Sequence, residues 1–153
     1  MADEYYSGTE DEIKRFLLGM EVGNDRISSL TPEEVASAQA RIDDVLDDEL
    51  STVMYTPVQK ILDKNGHEVY PGSVRTIALK RTAVELVETN FGEVQPNVTE
   101  LVATYKAQAD EEIGRIQRRE IMLRGQTYKN PNKFIPPEVA PLTPPGAPAA
   151  GGV

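Results

Sequence analysis

The chain contains no cysteine, no tryptophan and a single histidine, His67. The absence of cysteine excludes disulfides, a thiol nucleophile and a thiolate metal site in this 153-residue sequence. His67 has no second histidine with which to complete a zinc site, and no glycine-rich phosphate loop or serine-nucleophile motif is present. We therefore predict a protein that is not an enzyme and that holds no metal and no cofactor.

Long apolar runs are also missing from the sequence. No stretch of about 18 apolar residues is present, so we expect no membrane-spanning segment and no membrane partner. The first four residues, Met-Ala-Asp-Glu, lack the basic and apolar regions of a secretory signal. Both absences predict a protein of cytoplasmic origin.

Basic residues are scarce, with 16 Lys and Arg against 25 Asp and Glu and a net charge of -9. Residues 1–50 carry 14 acidic and 4 basic side chains, whereas residues 111–153 carry 4 acidic and 6 basic ones. An acidic surface repels phosphates, so nonspecific nucleic-acid binding by the whole molecule is not expected. The two ends of the chain nevertheless have opposite net charge.

The strongest positive signal is helical periodicity. The longest pattern runs from Asn97, a predicted N-cap, to Gly125, and its apolar positions fall on one face that must be covered. Three shorter amphipathic patterns precede it, and capping boxes open the first two of them. We predict the first helix from Thr9 to an end bracketed by Gly19 and Gly23, the second roughly from Pro32 to Thr52, and the third from Ser73 or Gly72 to about Asn90, with a loop at Asn24 to Leu30.

Between the second and third predicted helices the period changes. Thr56-Pro57 blocks helix formation, and two short extended segments, Val58 to Leu62 and His67 to Tyr70, flank an Asn-Gly turn. This pattern predicts a β-hairpin. The third helix is apolar around most of its circumference, which predicts that it lies in the middle of the bundle.

The predicted fold class is all-α, a small four-helix bundle with a short β-hairpin insertion and an extended proline-rich C-terminal arm. Residues 1–8 form a flexible lead, residues 9–125 the helical domain and residues 126–153 the arm. Seven of the eleven prolines lie in the arm, which prevents regular packing. The apolar side chains of the arm are predicted to be anchors that bind a neighbouring subunit or another protein: Tyr128, Phe134, Ile135, Val139 and Leu142.

Two charged stretches are candidates for a site. Carboxylates at helical spacing in the second predicted helix have the chemistry of a hard-cation site, but a solvated acidic face is the favoured interpretation, because no closing loop supplies further oxygens. The arginines of the last predicted helix lack the interleaved aromatics of a nucleic-acid platform, so a protein partner is favoured. The predicted contacts between subunits are Asp43, Asp44, Asp47 and Asp48 with Arg115, Arg118 and Arg119.

Several short stretches of the chain follow one another in a distinctive order: Ala40-Arg41-Ile42-Asp43 with Leu46, the break Tyr55-Thr56-Pro57-Val58, Tyr70-Pro71, the helix opening Val74-Arg75-Thr76-Ile77-Ala78, and Tyr105, Ala109, Ile113, Ile116 and Leu123. This order and spacing resembles the head-tail adaptor, or head-completion, proteins of tailed bacteriophages. The resemblance covers about Thr9 to Gly125. It departs from the family in the pair Arg118-Arg119 and in the length of the arm.

The resemblance implies a structural subunit of the virion that assembles as a homo-oligomeric ring, commonly of twelve copies, beneath the portal protein. Such a ring extends the DNA channel, through which DNA passes only as cargo. It also gives a docking platform to the next connector, stopper or tail protein. The expected location is the head-tail interface of the virion, after assembly in the host cytoplasm.

Two other functions remain open on the sequence alone. One is a monomeric helical protein-interaction module whose proline-rich tail is a ligand for an aromatic groove. The other is a small enzyme with an acidic site at residues 43–49, which would require a divalent cation. A subunit that stays monomeric at high concentration would favour the first, and a large gain in stability with a divalent cation would favour the second.

Overall fold

The computed structural model describes residues 5–91 and 96–129, and this part of the chain is 62% helical. One small antiparallel sheet of two strands accompanies the helices. No helix among the described residues is both long enough and apolar enough to cross a bilayer. The elements in chain order are α1 (Glu10–Gly19), α2 (Asn24–Ser28), α3 (Pro32–Leu50), β1 (Ile61–Leu62), β2 (Glu68–Val69), α4 (Gly72–Asn90) and α5 (Pro96–Gln117).

Both predicted capping boxes are present. The backbone N–H of Glu12 donates to the Thr9 hydroxyl, and the Thr9 N–H donates to Glu12 Oε1 at 2.8 Å. Thr31 and Glu34 make the same reciprocal pair at the start of α3. Each box satisfies N–H groups that the first helical turn leaves without partners, which fixes where these helices begin.

Helix α4 is the central helix, as predicted, and packs against α1, α3 and α5. Its C-terminal half lies in one apolar cluster with α1, α2 and the N-terminal halves of α3 and α5. Its N-terminal half lies in a second cluster with the C-terminal halves of α3 and α5. Helix α4 therefore runs antiparallel to both α3 and α5.

The predicted hairpin is present, but its strands are only two residues long. Ile61 pairs with Val69 and Leu62 pairs with Glu68. The turn is closed by a hydrogen bond from the Gly66 N–H to the Asp63 carbonyl at 3.0 Å, and Gly66 has φ +83°. Positive φ costs glycine little, which explains the residue at this position.

Three helix predictions are wrong. Residues predicted as a loop form α2, which buries Ile27 in the first cluster. The last helix ends at Gln117 rather than near Gly125, because the chain leaves helical geometry at Arg119, which has φ +63°. Asn97 is the second residue of α5 and not its N-cap, and its side-chain amide donates to Glu21 Oε1 at 2.8 Å.

The packed body extends beyond the predicted boundaries at residues 9 and 125. Tyr6 and Ser7 are buried, so the described end of the predicted flexible lead is part of the domain. Near the other end, the Tyr55 N–H donates to the Thr127 carbonyl at 2.9 Å and the Lys129 N–H donates to the Val53 carbonyl at 2.8 Å. Residues 126–129 therefore belong to the body, and the rest of the predicted arm lies outside the described residues.

Gly125 and Gly66 make a matched pair for a stability test, since both have positive φ. A Cβ at Gly125 would lie 2.6 Å from Ile61 Cγ2, whereas a Cβ at Gly66 would meet nothing within 4 Å. We expect Gly66→Ala to cost about 1–2 kcal/mol from backbone strain alone. Gly125→Ala should cost about 1–3 kcal/mol more, because Ile61 must also move. Equal urea-unfolding midpoints for the two variants would contradict this packing.

Candidate functional site

The acidic residues of α3 divide into two sets. Asp43 and Asp47, one helical turn apart, are half-buried, whereas Asp44 and Asp48 are exposed. The exposed pair lies on the solvent side of α3. The half-buried pair faces the N-terminal strap, which we define as residues 5–8. Nothing in the sequence distinguishes the four carboxylates, but in the structure two are half-buried and two are exposed.

Tyr6 of the strap makes the contacts that hold the half-buried pair. Its hydroxyl donates to Asp47 Oδ1 at 2.5 Å, and its backbone N–H donates to Asp43 Oδ2 at 3.1 Å. The Val58 N–H, in turn, donates to the Tyr6 hydroxyl at 2.9 Å. The Tyr6 ring also meets the Tyr70 ring edge-on, with centroids 4.8 Å apart. One side chain thus joins the strap, α3, the bend after α3 and the end of the hairpin.

Gln39 fastens the other half of the strap. Its side-chain amide donates to the Ser7 hydroxyl at 2.8 Å and to the Gly8 carbonyl at 2.9 Å. Gln39 and Ser7 are both buried, so their polar groups cannot bond to water. The two hydrogen bonds satisfy these groups within the protein. The only signal in the sequence was a glutamine among the apolar positions of α3, and its partners are 31 and 32 residues away.

Burial changes the acidity of this cluster. Burial raises the pKa of Asp43 to about 7; the Tyr6 N–H opposes the rise and the charges of Asp47 and Asp44 add to it. Asp43 Oδ1 is buried and has no hydrogen-bond partner among the described residues, which is consistent with a carboxyl that favours its neutral form. Burial also raises the pKa of Asp47, although the Tyr6 hydroxyl bond acts against it, and burial raises the pKa of Tyr6.

Three acids of α3, Asp43, Asp47 and Glu49, accept hydrogen bonds from the chain's own N–H and O–H groups. Across residues 5–91 and 96–129, no group of three or more His, Asp or Glu side chains is arranged to hold a metal ion. Glu49, the remaining acid of the stretch, accepts from Arg81 at 2.5 Å, and Arg81 also reaches Asp110 at 2.8 Å. Arg81 thereby links α4 to both α3 and α5.

The predicted basic residues are not a single helical stripe, because α5 ends before two of them. Arg115 and Arg118 are exposed and both pair with Glu120, at 3.6 and 2.8 Å. Arg119 turns inward: its guanidinium donates to the Lys129 carbonyl at 2.5 Å and lies 5.5 Å from the centroid of the Tyr128 ring. Of the three arginines predicted to contact another subunit, Arg115 and Arg118 are therefore the ones that stay exposed.

The predicted anchor Tyr128 is engaged within its own subunit. Its hydroxyl accepts from the Leu123 N–H at 2.8 Å, its backbone bridges to Met54, and its ring packs against the second cluster. The prediction that Tyr128 is an anchor for a neighbour therefore does not fit its position. The other predicted anchors, Phe134, Ile135, Val139 and Leu142, lie outside the described residues and stay predictions.

We expect Tyr6→Phe to destabilise the fold by about 1–3 kcal/mol, because the buried Val58 N–H loses its acceptor and Asp47 loses its donor. Urea unfolding at neutral pH measures the loss. Tyr5→Phe is the matched control, because the Tyr5 hydroxyl makes no hydrogen bond to a described residue. Equal midpoints for both variants would rule out the Tyr6 hydroxyl as a structural joint.

A second prediction follows from the acidity of Asp43. Because its pKa is about 7 in the folded state, against an ordinary value of 3.8, the folded protein binds a proton that the unfolded chain releases between these values. The Asp43 contribution to stability is therefore present at low pH and is lost as pH rises from about 4 to about 7. Asp43→Asn should flatten the change in unfolding free energy between pH 5 and pH 7.5. Asp44→Asn, at the exposed neighbour, should keep most of it.

Comparisons with protein-family models, with curated protein sequences and with solved structures found no match to this chain. Three features of the chain itself remain as indications of its function. These are the Tyr6 joint, the exposed acids Asp44 and Asp48 on α3, and the basic segment after α5. No family is assigned on this basis.

Proposed function

We propose that the chain is a head-tail adaptor of a tailed bacteriophage, a structural protein that forms a ring beneath the portal. The ring extends the DNA channel and presents a platform to the next connector, stopper or tail protein. Its place is the head-tail interface of the virion, reached after synthesis in the host cytoplasm. DNA is cargo that passes through the ring and is not a specific ligand.

The main support for the proposal is the position in the fold of the residues that resemble the adaptor family. Asp43, Val58 and Tyr70 come from three separated stretches that resemble the adaptor family, and all three contact Tyr6. Ile42 and Leu46 of the same stretches lie in the second apolar cluster. The family-like pattern thus corresponds to one structural joint, which supports a common architecture more strongly than scattered matches would.

The distribution of charge supports assembly into a ring. Asp44 and Asp48 are exposed on α3, and Arg115, Arg118 and Arg124 are exposed near or beyond the end of α5. A subunit with different, complementary surfaces associates head to tail, and such heterologous contacts close into rings when the rotation permits. Acidic side chains that face a central channel would also repel the DNA backbone and keep a passing duplex from binding.

The test is assembly with the portal protein of the same phage, measured by native mass spectrometry and negative-stain electron microscopy. We expect the full chain to bind the portal as a ring of adaptor copies. A chain that remains monomeric with the portal at high concentration would overturn the proposal and would favour the interaction-module function instead.

The proposed role of the arm is tested by truncation after Lys129, which keeps the contacts of Thr127, Tyr128 and Lys129 with residues 53–55. We expect this variant to keep the unfolding midpoint of the full chain but to bind the portal or adjacent subunits much more weakly, because Phe134 and Ile135 are removed. Truncation after Gly125 is the contrasting variant and should unfold at lower urea, because Tyr128 is lost. Full portal binding by the Lys129 truncation would show that the arm is not an anchor.

A further inference from the structure

Two exposed apolar side chains lie among charges of opposite sign. Val45 of α3 is 45% exposed and lies beside Asp44 and Asp48. Met122, in the segment after α5, is 55% exposed, and Arg124 near it is exposed as well. A single exposed apolar residue is ordinary on a protein surface. The complementary charges around these two make them a candidate pair.

The basic side of the pair is held in place by its own backbone. Leu123 is buried, and its N–H donates to the Tyr128 hydroxyl at 2.8 Å. Met122 and Arg124, which flank Leu123 in the chain, are both exposed. Arg124 makes no ion pair with any residue of the described ranges. This segment therefore exposes a methionine two residues from an arginine that has no ion-pair partner in the described part of the chain.

The acidic side of the pair is equally fixed, since α3 is capped at its start and packed along its length. Asp44 and Asp48 are one helical turn apart, and Val45 lies three residues before Asp48, so the three side chains are neighbours on the helix surface. Within the described part of the chain neither carboxylate forms an ion pair. Asp43 and Asp47 are excluded from this surface because they bind Tyr6.

We propose that these two surfaces meet between neighbouring copies of the chain, with Met122 of one subunit packed on Val45 of the next and Arg124 paired with Asp44 and Asp48. This inference rests on the proposed ring and identifies its subunit contact. The charge complementarity selects a second copy as the partner, because one chain carries both halves. The contact is heterologous, so each copy keeps one free half until the ring closes.

The absence of cysteine makes the contact directly testable. Val45→Cys and Met122→Cys proteins are mixed in equal amounts with the portal and treated with a short bismaleimide cross-linker. We expect a dimer that contains one copy of each variant, and little dimer from either variant alone. Leu18→Cys is the control for Val45→Cys, because Leu18 is 50% exposed but lies on α1. It should yield no dimer with Met122→Cys.

Charge reversal gives the second measurement. Asp48→Lys in the Val45→Cys protein, or Arg124→Asp in the Met122→Cys protein, should each lower the cross-linked fraction several-fold, and mixing the two reversed proteins should restore much of it. Added salt should lower the yield from the unreversed pair. Rings on the portal without this cross-link would overturn the inference while the proposed function stands. A chain that never binds the portal would overturn both.

Discussion

The hydrogen bonds of the Tyr6 hydroxyl hold together the part of the molecule that contains the second apolar cluster. The hydroxyl donates to Asp47 and accepts from the Val58 N–H, while the Tyr6 ring lies against Tyr70. Without the hydroxyl, the bend after α3 would have a buried N–H with no acceptor, and the half-buried Asp47 would lose its donor. Burying these groups is favourable only as a complete network, because each unpaired member would carry the full cost of leaving water. The partial exception is Asp43: its Oδ1 has no hydrogen-bond partner among the described residues, and burial raises its pKa to about 7, so the joint is sensitive to protonation.

The helices of the bundle are organised around α4, which packs against α1, α3 and α5. Helix α4 also carries Arg81, the arginine that links α3 to α5. Arg81 illustrates how a polar residue is kept in a central helix: its side chain is only 14% exposed, and carboxylates from two neighbouring helices accept its N–H groups. Such a bridge orients three helices at once. On the outside of α3, Asp44 and Asp48 form no ion pair with a described residue, and after α5 Arg115 and Arg118 share Glu120, so charge stays exposed on both of these surfaces.

Features that depend on nearby residues could be read from the sequence, and those that depend on distant residues could not. Both capping boxes, the Asn-Gly turn and the central position of α4 follow from local spacing. The burial of Tyr6 depends on partners at least 37 residues away, and nothing near it indicates them. The apolar spacing predicts that the last helix continues through Leu123. In the structure Leu123 reaches the core through a turn at Arg119, which has positive φ, and no glycine marks this turn in the sequence. The division of the acids of α3 into two sets also required their surroundings.

The short pairing of residues 53–55 with residues 127–129 has a consequence for how the protein is made. A chain emerges from the ribosome with its N-terminus first, and a domain generally folds as a unit once all the residues that make its contacts have emerged. Here residues 53–55 cannot pair until residues 127–129 have been synthesised. The helical body is therefore complete only when nearly all of its residues have been made. The acidic first half emerges long before the basic segment that follows α5. During translation the nascent chain is therefore a strongly anionic polypeptide, and the acids of its first half that form ion pairs across the fold meet their cations only when α4 has been made.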